Sequence, residues 1–398
     1  MKRLEIIPML AIIVAFASIF SCAQSSAKAV TVPVTLDHNR IVIDVYVPLK
    51  DGTTKRVRGL VDTGRTGVLM SLHLAQLIDK NVTCATDWCT IAPPDSIKIG
   101  ELQVSLTGSG NAKMPSRPAA FNDVLIPGMS PELILPSTIL RNYDLVIDYA
   151  NRQLTIGPPG SVKFTGLPAP VKVGNDGKLV VSTKIDGRND DFGLDTGASA
   201  SFVRSALFDQ YHKRHPGWLY AVGSLGAANV AGSPDEIHGE MLILPAFELG
   251  PIALHDVLVA SGDGGAPSTL SGVLGGDAFK GTRLGIDYPH STIYVEPISS
   301  APPAGLNVIG LTLRPEVDGR YTVAAVVPYE GQPSVADVKP GDFLIGVDGA
   351  PVTGATMGQV WSLLGGEPGQ VRKLIIEREG KRLTVEAVVR RFLSAKTN

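Results

Sequence analysis

The chain has 398 residues and a formal net charge of −2, with no basic block, which argues against nucleic acid as a partner. Its length allows two or three domains at roughly 100–200 residues each. Apolar residues make up 44%, aromatics only 6%, and glycine (43) and proline (29) are plentiful, a mix that predicts many short strands and turns and excludes a mainly long-helical protein.

Met1-Lys2-Arg3 followed by an apolar stretch from Ile6 to Phe20 reads as a secretory signal over residues 1–29. The stretch is short for a membrane span. Ala27-Lys28-Ala29 fits ordinary cleavage, while Ile19-Phe20-Ser21-Cys22 resembles a bacterial lipobox that would attach the chain to a membrane through a lipidated Cys22. A retained N-terminal anchor is the third reading. All three place the protein outside the cytoplasm, in the periplasm or cell envelope. Cys84 and Cys89 are then expected to close a small disulfide loop. No histidine or further cysteine stands near them, so a zinc site is not expected there, and no metal or other cofactor is expected anywhere.

Residues 30–160 form a first unit. Thr31–Val34 and Ile41–Val47 alternate as strands do, Lys50-Asp51-Gly52-Thr53 signals a hairpin, and Val57–Val61 leads into Asp62-Thr63-Gly64. Ser71 to Asn81 has helical spacing. Residues 161–299 repeat the plan. Leu179–Ile185 is a strand, Asp186-Gly187 a turn, Phe192-Gly193-Leu194 leads into Asp195-Thr196-Gly197, and Ser205 to His215 is a helix. A second matched pair follows: Leu145-Val146-Ile147-Asp148-Tyr149 and Leu284-Gly285-Ile286-Asp287-Tyr288. The spacing from Asp62 to Asp148 is 86 residues and from Asp195 to Asp287 it is 92, so the two halves are read as a duplicated lobe.

Beyond a linker at Ser299–Gly305, residues 306–392 are expected to fold as an independent unit. It holds a strand from Tyr321 to Val327, a helix near Met357 to Leu364, and closing strands at Leu374–Arg378 and Leu383–Val389. His212 and His215 are expected on the surface.

The duplication matters because it can bring two carboxylates together. Two carboxyl groups roughly 3 Å apart cannot both ionise, so they share a proton, and such a pair can deprotonate a water while protonating a neighbouring oxygen. Thr63 and Thr196 can hydrogen-bond across a symmetric interface. Gly64 and Gly197 let the backbone turn tightly. Thr66 and Ser199, two residues beyond each glycine, can donate to the outer carboxylate oxygens.

On these residues the chain resembles the retropepsin-like aspartic proteases, in their two-lobed bacterial envelope form, over roughly residues 32–297. Gly272-Val273-Leu274-Gly275-Gly276-Asp277-Ala278-Phe279 is similar to that family's hydrophobic-hydrophobic-glycine motif. The resemblance implies a mainly β fold of two pseudo-symmetric lobes meeting at a cleft, with Asp62 and Asp195 as the catalytic pair acting on a polypeptide substrate. With both lobes in one chain, a monomer would be active. Three departures stand out: Arg65 follows the first glycine, Pro136 stands where the second lobe has Gly275, and the Cys84–Cys89 loop occupies the place of a first-lobe flap. In the second lobe Gly223 and Gly226, within Val222–Gly232, mark a candidate flap. Residues 306–392 resemble a bacterial PDZ domain on Val338-Lys339-Pro340-Gly341-Asp342 and Ile345–Gly349. This implies capture of a peptide C-terminus by strand addition, with Gly310, Leu311, Thr312 and Leu313 as the carboxylate-binding loop. The rival expectation is a non-catalytic peptide-binding envelope protein on the same fold.

Overall fold

The computed structural model describes residues 28–79, 81–85, 88–115, 131–223, 239–263, 267–299, 305–316 and 318–395. The protein is mainly β. Each lobe is built on the same unit. A strand ending in an Asp-Thr-Gly turn (Thr54–Asp62; Arg188–Leu194) lies parallel to a short apolar strand from later in the chain (Leu133–Pro136; Gly272–Leu274). That strand in turn pairs antiparallel with the strand that follows the turn (Leu69–Met70; Ser201–Val203). The inserted strands are continuous apolar runs because both of their faces are covered.

The second matched pair of segments joins the lobes. Asp144–Asp148 and Thr282–Asp287 run antiparallel in the register Leu145↔Ile286, Val146↔Gly285 and Ile147↔Leu284. A pseudo-twofold axis therefore passes beside Val146 and Gly285. Four flanking strands, Val30–Pro33, Gln153–Gly157, Thr292–Pro297 and Leu167–Val173, extend this inter-lobe sheet. Asp148 and Asp287 stay out of the cleft. Each caps the turn after its own strand, accepting from Asn151 N–H at 2.8 Å and from His290 N–H at 3.1 Å.

Helix Leu72–Ile78 is capped by Ser71 Oγ, which accepts from Leu74 N–H at 3.0 Å. It ends three residues before Asn81 because Asp79 Oδ1 accepts from Asn81 N–H, a local turn that competes with the helix. Helix Ser205–Arg214 stops ahead of Pro216, which disfavours helical backbone at the residue before it.

The C-terminal unit is a sheet in the order Leu311–Pro315, Tyr321–Val326, Phe343–Val347, Val371–Arg378, Lys381–Val388, with helix Met357–Leu364 against it. It packs directly against the second lobe. Its apolar core takes in Ala221, Met241 and Ile243 from the second lobe. After the last strand the chain returns to that lobe, where Tyr220 and Ser394 exchange backbone hydrogen bonds at 3.0 and 3.1 Å.

Candidate active site

Asp62 and Asp195 stand at the ends of buried strands whose side chains Val61, Phe192 and Leu194 are nearly inaccessible. Each aspartate folds the following turn onto itself. Gly64 N–H donates to Asp62 Oδ1 at 3.0 Å, and Gly197 N–H and Ala198 N–H donate to Asp195 Oδ1 at 2.8 and 3.1 Å.

The two turns interlock through their threonines. Thr63 Oγ1 donates to Leu194 O at 2.8 Å and accepts from Thr196 N–H at 3.1 Å. Thr196 Oγ1 donates to Val61 O at 2.7 Å and accepts from Thr63 N–H at 3.3 Å. Both hydroxyls are buried, and each donates one bond and accepts one across the interface, so the grip fixes the distance between the loops. It leaves no room for a side chain at either glycine. A Cβ on Gly64 would lie 2.1 Å from Asp195 Oδ2, and one on Gly197 would lie 2.4 Å from Asp62 Cγ. Each glycine thus presents bare backbone to the opposite carboxylate, and the carboxylates face one another across the axis.

Burial first, and then the Asp195 charge, raise the Asp62 pKa well above the ordinary carboxylate range. Burial raises Asp195 too, against the pull of the Gly197 and Ala198 N–H donors and of Arg65. The arrangement favours one shared proton, which belongs to the pair and to neither residue alone. Arg65 Nε is 3.7 Å from Asp62 Oδ2 and draws the pair toward its ionised form, but its side chain is 37% exposed and its effect is screened.

The supporting hydroxyls are arranged less simply than expected. Thr66 is exposed, and Ser199 is buried beside the second loop. Their carbonyls tie the loops down, Thr66 O accepting from Thr138 Oγ1 at 2.7 Å and Ser199 O from Asn39 Nδ2 at 2.8 Å. Asn39 was invisible to motif reading. The trace it leaves in the sequence is an Asp-His-Asn-Arg turn between two strands.

The lobe alignment also explains Pro136. In the second lobe Gly275 N–H donates to Ser201 Oγ at 3.0 Å, whereas Val68 occupies the position of Ser201 in the first lobe and offers no acceptor. A residue without an N–H therefore fits there.

Cys84 and Cys89 form the disulfide, and they face each other in a hairpin of Thr83–Cys84 with Trp88–Ile91. In the second lobe Tyr220–Val222 and Glu240–Leu249 hold the same place in the sheet. The disulfide hairpin is thus the first lobe's counterpart of the second-lobe hairpin from which the candidate flap extends. Gly226 lies outside the described residues. Gly223 is turned to the C-terminal unit, where a Cβ would lie 2.4 Å from Val327 Cγ1. Leu311, Thr312 and Leu313 belong to a strand rather than a loop, and with Gly310 they are buried. The amides of Ile309 and Leu311 already donate, to Leu364 O at 2.9 Å and Ile309 O at 2.8 Å.

A scan against protein-family models and a search of curated proteins return no match. Among solved structures the chain is similar to an aspartic proteinase from Irpex lacteus, at 15% identity and a TM-score of 0.43, over 68% of this chain and 98% of that one. It is similar also to Basic 7S globulin from soybean, at 10% identity and a TM-score of 0.40, over 69% of this chain and 96% of that one. Likeness at this level carries no inference to activity.

Proposed function

We propose that the protein is an exported aspartic-type endopeptidase. The observation that carries the reading is the pair of buried carboxylates, Asp62 and Asp195, each facing the other lobe's glycine and locked by the Thr63–Thr196 grip. A water between them would lose a proton to the ionised member, while the protonated member donates to the substrate carbonyl oxygen. No cofactor enters this scheme. One chain carries both halves, so a monomer suffices. The N-terminal signal pattern and the Cys84–Cys89 bridge support a place outside the cytoplasm, with attachment through a lipidated Cys22 as one form of it.

The C-terminal unit, read as a PDZ module, leaves Leu311–Pro315 at the end of its sheet, where an extended peptide could add as a further strand. The Ile309 and Leu311 amides are already taken by Leu364 O and Ile309 O, which disfavours carboxylate capture by Gly310–Leu313 and leaves strand addition as the mode.

The test is cleavage of unfolded polypeptides by the mature protein between about pH 3 and 7. Asp62→Asn and Asp195→Asn are each expected to abolish cleavage, by at least about a thousandfold, and a statine-type inhibitor to block the wild type. A second reading, a non-catalytic peptide binder, is favoured by Arg65 beside Asp62. Absence of cleavage by the wild type, together with retained binding of the inhibitor, would establish it instead.

A further inference from the structure

The two catalytic loops are anchored by different means. The carbonyls of Arg65 and Ala198 are held alike, by Ser137 N–H at 2.8 Å and Gly276 N–H at 2.9 Å. One residue later the symmetry breaks. Thr66 O accepts from Thr138 of its own lobe. The position matching Thr138 in the second lobe is Asp277, whose carboxylate instead accepts from Ser201 Oγ at 2.8 Å. Ser199 O therefore takes its donor from the other lobe, the Asn39 side-chain amide.

Asn39 sits in a two-residue turn joining Thr35–Asp37 to Arg40–Pro48, with His38 at φ 51° and Asn39 at φ 69°. Left-handed backbone at both positions is typical of such hairpins, and at His38 it stores some strain. The turn is wedged between two units. On one side a Cβ on Gly276 would lie 2.1 Å from Asn39 O. On the other, a Cβ on Gly358 of the C-terminal helix would lie 2.4 Å from both Asp37 Oδ1 and His38 N. Gly358 N–H donates to Asp37 Oδ1 at 2.8 Å, and the His38 ring lies against Trp361 with centroids 5.2 Å apart. A glycine in each neighbouring unit thus makes room for the same turn. Beside it a cavity of about 560 Å³, lined by His38, Asn39, Ser199, Asp277, Lys280 and Trp361 among others, leaves space for the turn to shift.

We infer that Asn39 is a positioning residue for the Asp195 loop, and that the C-terminal helix, through Gly358 and Asp37, holds it in place. A ligand that moves this helix then changes turnover at the cleft without touching the cleft. The kinetic consequence rests on the peptidase reading; the mechanical coupling does not.

Asn39→Ala and Gly358→Ala are each expected to lower kcat about tenfold with KM changed less than threefold. Lys381→Ala, on an exposed strand of the same unit, is expected to leave kcat unchanged. Amide hydrogen exchange is expected to quicken at residues 197–201 in both glycine and asparagine variants, and not at residues 64–68. Asp37→Ala, which removes the acceptor of the Gly358 N–H, replaces Gly358→Ala if the latter fails to unfold cooperatively. Wild-type kcat in these variants, or exchange at 197–201 unchanged from wild type, overturns the inference. A wild type that cleaves nothing refutes the peptidase reading alone, and the exchange measurement then decides the coupling.

Discussion

Asp62 is held in surroundings that oppose its ordinary chemistry. Burial and the Asp195 carboxylate raise its pKa, with Arg65 as partial relief. A carboxyl raised in the folded state contributes its full stability while protonated, below the unfolded value of about 4, and loses it as pH climbs through the folded value. Asparagine cannot ionise. Asp62→Asn is therefore expected to raise Tm by a few degrees at pH 7 and to leave it nearly unchanged at pH 3. Thermal unfolding at the two pH values checks this. An equal shift at both would mean that the charge at Asp62 is not what costs stability.

At the scale of elements, the two copies of the loop-and-strand unit have specialised in matched pairs of residues. The second lobe uses Ser201, which is fully buried, accepts from Gly275 N–H and donates to Asp277. The first lobe pairs Val68 with Pro136 and dispenses with both bonds. Grafting only half of the first lobe's solution, the valine without the proline, onto the second should fail. Ser201→Val would strand the buried Gly275 N–H and take one donor from the Asp277 carboxylate, so it is expected to destabilise by about 1–3 kcal/mol. Urea unfolding measures this, with Ser201→Thr as the variant that retains the hydroxyl; a cost near zero would mean that water replaces the hydroxyl there.

Over the whole molecule, the lobes share the inter-lobe sheet, and the C-terminal unit shares its core with the second lobe. Met241 and Ile243 are buried at 3% and 5% exposure, and both belong to the cluster that the C-terminal unit completes. A chain ending before residue 305 is expected to aggregate or to melt below the full-length protein, because it exposes that apolar face and loses the Tyr220–Ser394 pairing. Size-exclusion chromatography and thermal unfolding test it. A monomer with the full-length Tm would restore the expectation of two independent units.

The sequence alone determined the lobe plan, the repeated Asp-Thr-Gly turns with their matched downstream segments, and the Cys84–Cys89 loop. Each of these is a local requirement: a turn needs its glycine next door, and a pair of cysteines five apart can scarcely avoid each other. Only the tertiary structure decided that the matched segments pair with each other across the lobes, what Asn39, Gly276 and Gly358 are for, why Thr66 and Ser199 offer carbonyls, and where Gly310–Leu313 lie. Asn39 and Ser199 are 160 residues apart. A glycine kept free for a neighbour's carbonyl looks, in one dimension, like any other glycine, because the atom it avoids comes from elsewhere in the chain.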